Sequence, residues 1–120
     1  MSELDGTDPK LDYYPRLKRL HQYVEQSYSE PIPLEKAAGI AALETSYFSS
    51  YFRAKVGITF TDWLRRVRVK KAMVLLKAKD FSITEVAYEV GFRDLRTFER
   101  AFKKYVQKTP REFKKSVLPC

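Results

Sequence analysis

Residues 89–105 read EVGFRDLRTFERAFKKY. Wound at 100° per residue, Phe98, Ala101, Phe102 and Tyr105 fall on one arc, with Leu95 and Val106 at its edge. Arg96, Glu99, Arg100 and Lys103 fall on the opposite arc. The spacing predicts a helix that buries aromatic rings on one side and presents positive charge on the other. Gly91 supplies a tight turn before it, because a left-handed backbone costs glycine nothing sterically. Asp94 is placed to cap its first turn. Upstream, Ser82 and Glu85 form an S-x-x-E capping box that opens a shorter helix.

The same arrangement occurs twice. LEKAAGIAALETSYFSSYFRAKVGITFTDWL aligns with ITEVAYEVGFRDLRTFERAFKKYVQKTPREF. Leu34 meets Ile83 and Ala38 meets Ala87; after a one-residue gap, Phe48 meets Phe98, Phe52 meets Phe102, Val56 meets Val106, Thr59 meets Thr109 and Trp63 meets Phe113. The first copy buries Phe48, Tyr51, Phe52 and Lys55 or Val56, and turns Ser46, Ser49, Ser50 and Arg53 outward. Its signals are less tidy: Ala42 stands at the Gly91 position, Glu44 at that of Asp94 and Pro33 at that of Ser82. Thr109, Pro110 and Glu112 begin a last short helix, with proline at its favoured first position.

Between the copies runs TFTDWLRRVRVKKAMVLLKAKD. Thr59 and Asp62 can cap its start, and Trp63, Val67, Val74 and Leu75–Leu76 give it an apolar stripe. It reads as one helix over about 60–78, about 28 Å long at 1.5 Å per residue. Ahead of the repeat, Leu17, Leu20, Val24 and Tyr28 predict a helix over 14–28. Residues 1–12 read as a flexible leader or linker remnant, followed by a first lobe over 13–58, the linker helix over 59–79 and a second lobe with its short tail over 80–120.

The 120 residues carry a formal net charge of +8, unevenly spread. Residues 1–45 hold five Lys/Arg against eight Asp/Glu, a net −3; residues 46–120 hold eighteen against seven, a net +11. Such a surface attracts polyanions, nucleic acid before anionic membrane. No apolar run approaches the roughly 20 residues that span a bilayer, and no signal-peptide pattern opens the chain. The single histidine, His21, lies off the apolar stripe of its helix and reads as a boundary residue. The one cysteine, Cys120, reads as a solvated tail residue. Neither implies a metal or other cofactor, and with no Gly-rich phosphate loop the chain does not read as an enzyme.

A short helix, a tight turn and a second helix with a polar or basic outer face form a helix-turn-helix pattern, whose second helix fits the major groove. SITEVAYEVGF, followed by F-x-x-x-F and the T-P-x-x-F ending, resembles the DNA-binding domain of the AraC/XylS transcription regulators. RVRVKKAMVLL resembles that family's linker helix, and the likeness covers residues 14–116. It implies an all-α, tandem homeodomain-like fold: seven helices in two helix-turn-helix lobes joined by a long linker helix. It implies recognition helices at about 45–56 and 95–106, entering successive major grooves of bacterial promoter DNA, in the cytoplasm at the nucleoid and near RNA polymerase. Many members carry an N-terminal sensor or dimerisation domain. This chain therefore reads as an excised C-terminal domain or a naturally short regulator, any dimer forming through the missing part. The family's usual Gly, Pro and Gly are replaced by Ala42, Phe60 and Gln107; a non-glycine in a left-handed turn costs about 1 kcal/mol.

The family's base-reading positions fall on Ser46, Ser49, Ser50 and Arg53, and on Leu95, Arg96 and Arg100. Arginine can donate two hydrogen bonds to guanine O6 and N7, so Arg96 and Arg100 are the foremost base readers, with Ser46, Ser49 and Ser50 beside them. Arg53, Thr97, Lys103 and Tyr47 are candidates for the phosphate backbone. Several residues have a second reading. Leu95 can pack as a staple, Glu99 can bridge Arg96 and Lys103 instead of meeting cytosine, Tyr47 can pack, and Arg68 can form a structural ion pair. Trp63 and Phe113 read as core. A different class of function also suits a basic helical surface: a protein-interaction module docking on an acidic partner.

Overall fold

The computed structural model describes residues 9–78 and 80–117, with side chains from Leu11 onward. The readings of residues 1–8 and of Cys120 lie outside them. The described residues form eight α-helices and no strand: α1 (Pro9–Tyr13), α2 (Pro15–Ser27), α3 (Leu34–Ile40), α4 (Thr45–Val56), α5 (Phe60–Leu76), α6 (Ile83–Glu89), α7 (Leu95–Val106) and α8 (Pro110–Val117). They fall into two compact units whose boundary lies within α5, between Leu64 and Arg65.

The first unit starts with a helix within the expected leader and its junction with the first lobe. Helix α1 covers Pro9–Tyr13 and packs against α2 and α4. Five residues show no periodicity, and a helix that short does not hold alone in water. Tertiary burial sustains it, with Leu11 completely buried. Helix α2 starts at Pro15, after an extended Tyr14, where proline's missing N–H costs no hydrogen bond. Leu17, Leu20 and Val24 form its buried stripe. Helix α3 follows Pro33, and Glu44 caps α4 by accepting from the Tyr47 amide at 3.0 Å. Gly57, with φ +95°, ends α4 in the left-handed region.

Four rings form the heart of this unit. Phe48, Phe52, Phe60 and Trp63 are all buried. Phe52 lies 5.8 Å from Phe48, 5.6 Å from Phe60 and 5.7 Å from Trp63 between ring centroids. Each edge or tilted pair contributes about 0.5–1.5 kcal/mol beyond burial itself. Phe60, where the family pattern has proline, is thus a core ring at the first position of α5. The histidine spans elements: His21 Nδ1 lies 3.1 Å from Asp12 Oδ1, Nε2 lies 3.6 Å from Glu25 Oε1, and the ring meets Trp63 edge-on at 5.9 Å.

The second unit repeats the scheme. Ser82 and Glu85 close the expected capping box, the Ser82 amide donating to Glu85 Oε1 at 2.9 Å and the Glu85 amide to Ser82 Oγ at 3.1 Å. Asp94 caps α7 through the Thr97 amide at 2.7 Å. Thr109 and Glu112 form a further reciprocal box that opens α8, at 2.8 and 3.1 Å. Phe92 meets Phe98 at 5.2 Å, Phe98 meets Phe102 at 5.7 Å, and Phe102 meets Phe113 at 5.5 Å. The Phe102–Phe113 pair is the counterpart of Phe52–Trp63. Lys114 ties α8 to the segment before α6, donating to Ala78 O at 3.3 Å and Phe81 O at 2.5 Å.

One stripe along α5 was expected, and the helix has two. Phe60, Trp63 and Leu64 are buried in the first unit; Val69, Ala72 and Leu76 are buried in the second. The two sets do not share one phase of the 3.6-residue period. Val74, placed on the stripe by the sequence, is 64% exposed. Each half of the helix serves its own unit, so no single phase runs through its 17 residues.

Candidate nucleic-acid interface

The two turns that position the candidate helices share one hydrogen-bond pattern. In the α3–α4 turn the Ala42 amide donates to Gly39 O at 3.0 Å and the Leu43 amide to Ala38 O at 2.9 Å. In the α6–α7 turn the Gly91 amide donates to Tyr88 O at 3.1 Å and the Phe92 amide to Ala87 O at 3.0 Å. These are the paired bonds of a Schellman-type helix end, which needs a left-handed residue. Gly91 supplies it with φ +108°, and Ala42 adopts it with φ +60°. Gln107 likewise holds φ +67° after α7, helped by its Nε2, which donates to Lys104 O at 2.9 Å.

On α7, Phe98, Ala101, Phe102 and Tyr105 are buried, as the winding requires. Arg96, Glu99, Arg100 and Lys103 are exposed, and Leu95 and Thr97 are half-buried. Arg96 and Arg100 form no hydrogen bond or ion pair with another described residue, so their donors face solvent. Glu99 does not bridge Arg96 and Lys103, although the spacing suggested it; exposed long side chains gain too little from such a pair to hold it. The Asp94 carboxyl lies below its ordinary range, first because it accepts from the Thr97 amide and hydroxyl, then because Arg100 and Arg96 stand near. The Thr97 hydroxyl donates to Asp94 Oδ2 at 3.0 Å, a use the sequence did not reveal.

On α4, Ser46, Ser50 and Arg53 are exposed and Ser49 is half-buried. The flank carries tyrosines. Tyr47 is 57% exposed and lies 6.0 Å from Tyr51, which meets Tyr14 edge-on at 6.4 Å. Lys55 places its ammonium 5.2 Å from the Tyr14 ring and 5.7 Å from that of Tyr51. Tyr47 therefore packs with its ring while remaining open to solvent, which accommodates both readings. Tyr14 belongs to this flank through folding alone, 33 residues upstream of Tyr47. On α5, Arg65 is exposed and Arg66, Arg68, Lys70 and Lys71 are half-buried, each engaged with other groups. Burial, then the charges of Arg65 and Arg93, lower the Arg68 pKa.

Among the described residues no cluster of three His, Cys, Asp or Glu is placed to hold a metal, and no helix is long and apolar enough to cross a membrane. Two pairs of helices, α3–α4 and α6–α7, each joined by a tight turn and presenting the outer face of its capped second helix, define a tandem helix-turn-helix domain. The helix-turn-helix domain family matches residues 37–116. The transcriptional activator RhaS of Enterobacter sp. is 30% identical over 99 residues, covering 82% of this chain and 36% of RhaS. The DNA-binding domain of AdpA, solved in complex with a target DNA, is 26% identical with a TM-score of 0.74, covering 85% of this chain and 91% of that one. An AraC-type regulator from Chromobacterium violaceum shares the fold, with a TM-score of 0.78 at 20% identity over 86% of this chain and 92% of that one. The chain belongs to the helix-turn-helix family of AraC-type transcription regulators, as a domain of the kind that binds DNA. It spans less than half the length of the first curated regulators it matches.

Proposed function

We propose that this domain binds bacterial promoter DNA sequence-specifically, with α4 and α7 entering successive major grooves about 34 Å apart on one face of the duplex. The observation that carries this reading is the pair of arginines on α7. Arg96 and Arg100 are exposed, form no hydrogen bond or ion pair with another described residue, and stand on a helix anchored by four buried residues. Guanidinium donors held on a rigid helix suit the O6 and N7 acceptors of guanine. Ser46, Ser49 and Ser50 on α4 are short and reach bases or phosphates directly or through water.

Arg53, Lys103 and Tyr47 serve the phosphate backbone, which sets register without specifying sequence. Thr97 reaches a phosphate only by giving up its bond to Asp94, so its first role is in the cap. The bound domain acts beside RNA polymerase in the cytoplasm at the nucleoid, and any dimer forms through a further domain rather than through these residues. The likeness to AdpA, crystallised on its target, favours DNA over an acidic protein as the partner. Selection of bound duplexes from a random pool, followed by a salt series, tests the assignment. Enrichment of one motif with two half-sites is expected, with affinity falling steeply as salt rises. No enrichment over random duplex at any salt sinks it.

A further inference from the structure

The two turns differ at their left-handed residue, Ala42 against Gly91, and in what reaches it. Where Gly91 sits in the left-handed region freely, Ala42 sits there with a Cβ that crowds the following carbonyl. Arg16, from α2, reaches the first turn alone: its Nη1 donates to Ala41 O at 3.2 Å and to Ala42 O at 2.9 Å. Those two carbonyls belong to the peptide planes on either side of the Ala42 Cα. The relative orientation of those planes is what φ and ψ of Ala42 describe. A single nitrogen bonded to both oxygens therefore holds that residue in its strained conformation. Ala41 O and Ala42 O also lie at the end of α3, where carbonyls lack helical partners and carry partial negative charge. A guanidinium is suited to them, with fixed donors and a permanent charge.

We propose that Arg16 is a positioning residue for DNA recognition by the first lobe: it fixes Ala42 in the left-handed region and so sets the direction in which α4 leaves the turn. This inference rests on the DNA-binding reading of α4. The second lobe obtains the same geometry from Gly91 itself. Loss of the clamp lets Ala42 relax toward right-handed conformations, and the faces of Ser46, Ser50 and Arg53 swing away from their contacts. A displacement of about 1 Å at such a face is enough to disturb base contacts.

The test is a double-mutant cycle on duplex affinity, using R16A, A42G and R16A/A42G with a duplex selected by the wild-type domain. R16A is expected to lower affinity about five- to thirtyfold, the range set by the cost of a left-handed non-glycine residue. R16A/A42G is expected to return to within about twofold of A42G, because glycine needs no clamp. A loss of the same size in both backgrounds overturns the proposal. If that loss is accompanied by a salt slope reduced by about 1, Arg16 is a phosphate contact instead. A lower melting temperature with unchanged affinity of the folded protein also overturns it, since Arg16 is then a stabilising residue only. If the wild-type domain selects no duplex, the DNA reading fails, and amide exchange decides the clamp separately. Faster exchange at the Ala42 and Leu43 amides in R16A, reversed by A42G, supports it; unchanged exchange overturns it.

Discussion

Arg96 and Arg100 stand on the same exposed face of α7, and the Asp94 cap just N-terminal to them draws on their charge. R96A and R100A are each expected to cost about 1–3 kcal/mol of binding to a selected duplex and to relax discrimination at one base pair. Base-substitution profiling of the selected site reads this directly, and an unchanged profile removes the residue from the base-reading set. Gln107 offers an independent check on backbone strain. It occupies the left-handed region that glycine takes freely, so Q107G is expected to raise stability by about 0.5–1 kcal/mol despite losing the bond to Lys104 O. The urea midpoint measures it. These outward positions were legible from the winding of the sequence alone, because a helix of known phase has one buried arc and one free arc. What Thr97 and Glu99 do with their polar atoms was not, since a hydroxyl or carboxylate chooses among several partners within reach.

The helices are held by local caps and by rings that recur at matched positions in the two units. Phe52 touches three aromatic neighbours and is completely buried, so F52A is expected to destabilise by about 3–5 kcal/mol. Chemical denaturation followed by tryptophan fluorescence reports it, because Trp63 lies against the vacated space. Three exposed carboxylates, Glu85, Asp94 and Glu112, have pKa values lowered by the amides and hydroxyls they serve at helix N-termini. A lowered folded-state pKa means that the ionised form is favoured by folding. The contribution is therefore complete above the ordinary values of 3.8 for aspartate and 4.5 for glutamate, and is lost as pH falls through the lower folded-state values. Stability should decline in that acid window, and a variant with Glu85, Asp94 and Glu112 all replaced by glutamine or asparagine should show a shallower decline. Identical acid profiles for the two proteins contradict the assignment. The Ser82–Glu85 box was legible because its partners lie three residues apart. Helix α1 was not, because its one buried leucine carries no pattern.

For the chain as a whole, the proposed function puts two reading heads on one duplex. Their joint affinity then depends on the spacing between half-sites, because the second contact forms within an already bound complex. Inserting five base pairs between the halves of a selected site turns one half to the opposite face of the helix. Affinity is expected to fall by a factor of about 10²–10⁴ toward that of a single lobe, while inserting ten base pairs is a separate test of reach. Electrophoretic mobility or anisotropy titration measures both, and indifference to a five-pair insertion contradicts simultaneous engagement. The net +11 over residues 46–120 makes all these affinities salt-dependent, so they are compared at one ionic strength.

Repeat, the order of the helices from α2 onward, the caps of the second lobe, ring anchors and outward stripes were all present in the order of residues. Each depends on neighbours within one or two helical turns, or on self-similarity along the chain. Folding alone established the rest. The phase change in α5 arises because each half of the helix is buried within a different unit. The tyrosine flank beside α4 draws Tyr14 from the junction of α1 and α2, and the hold of Arg16 on the α3–α4 turn joins residues 25 and 26 positions apart. Such contacts leave no periodic trace, since they are made by chain segments that meet only after the core has formed.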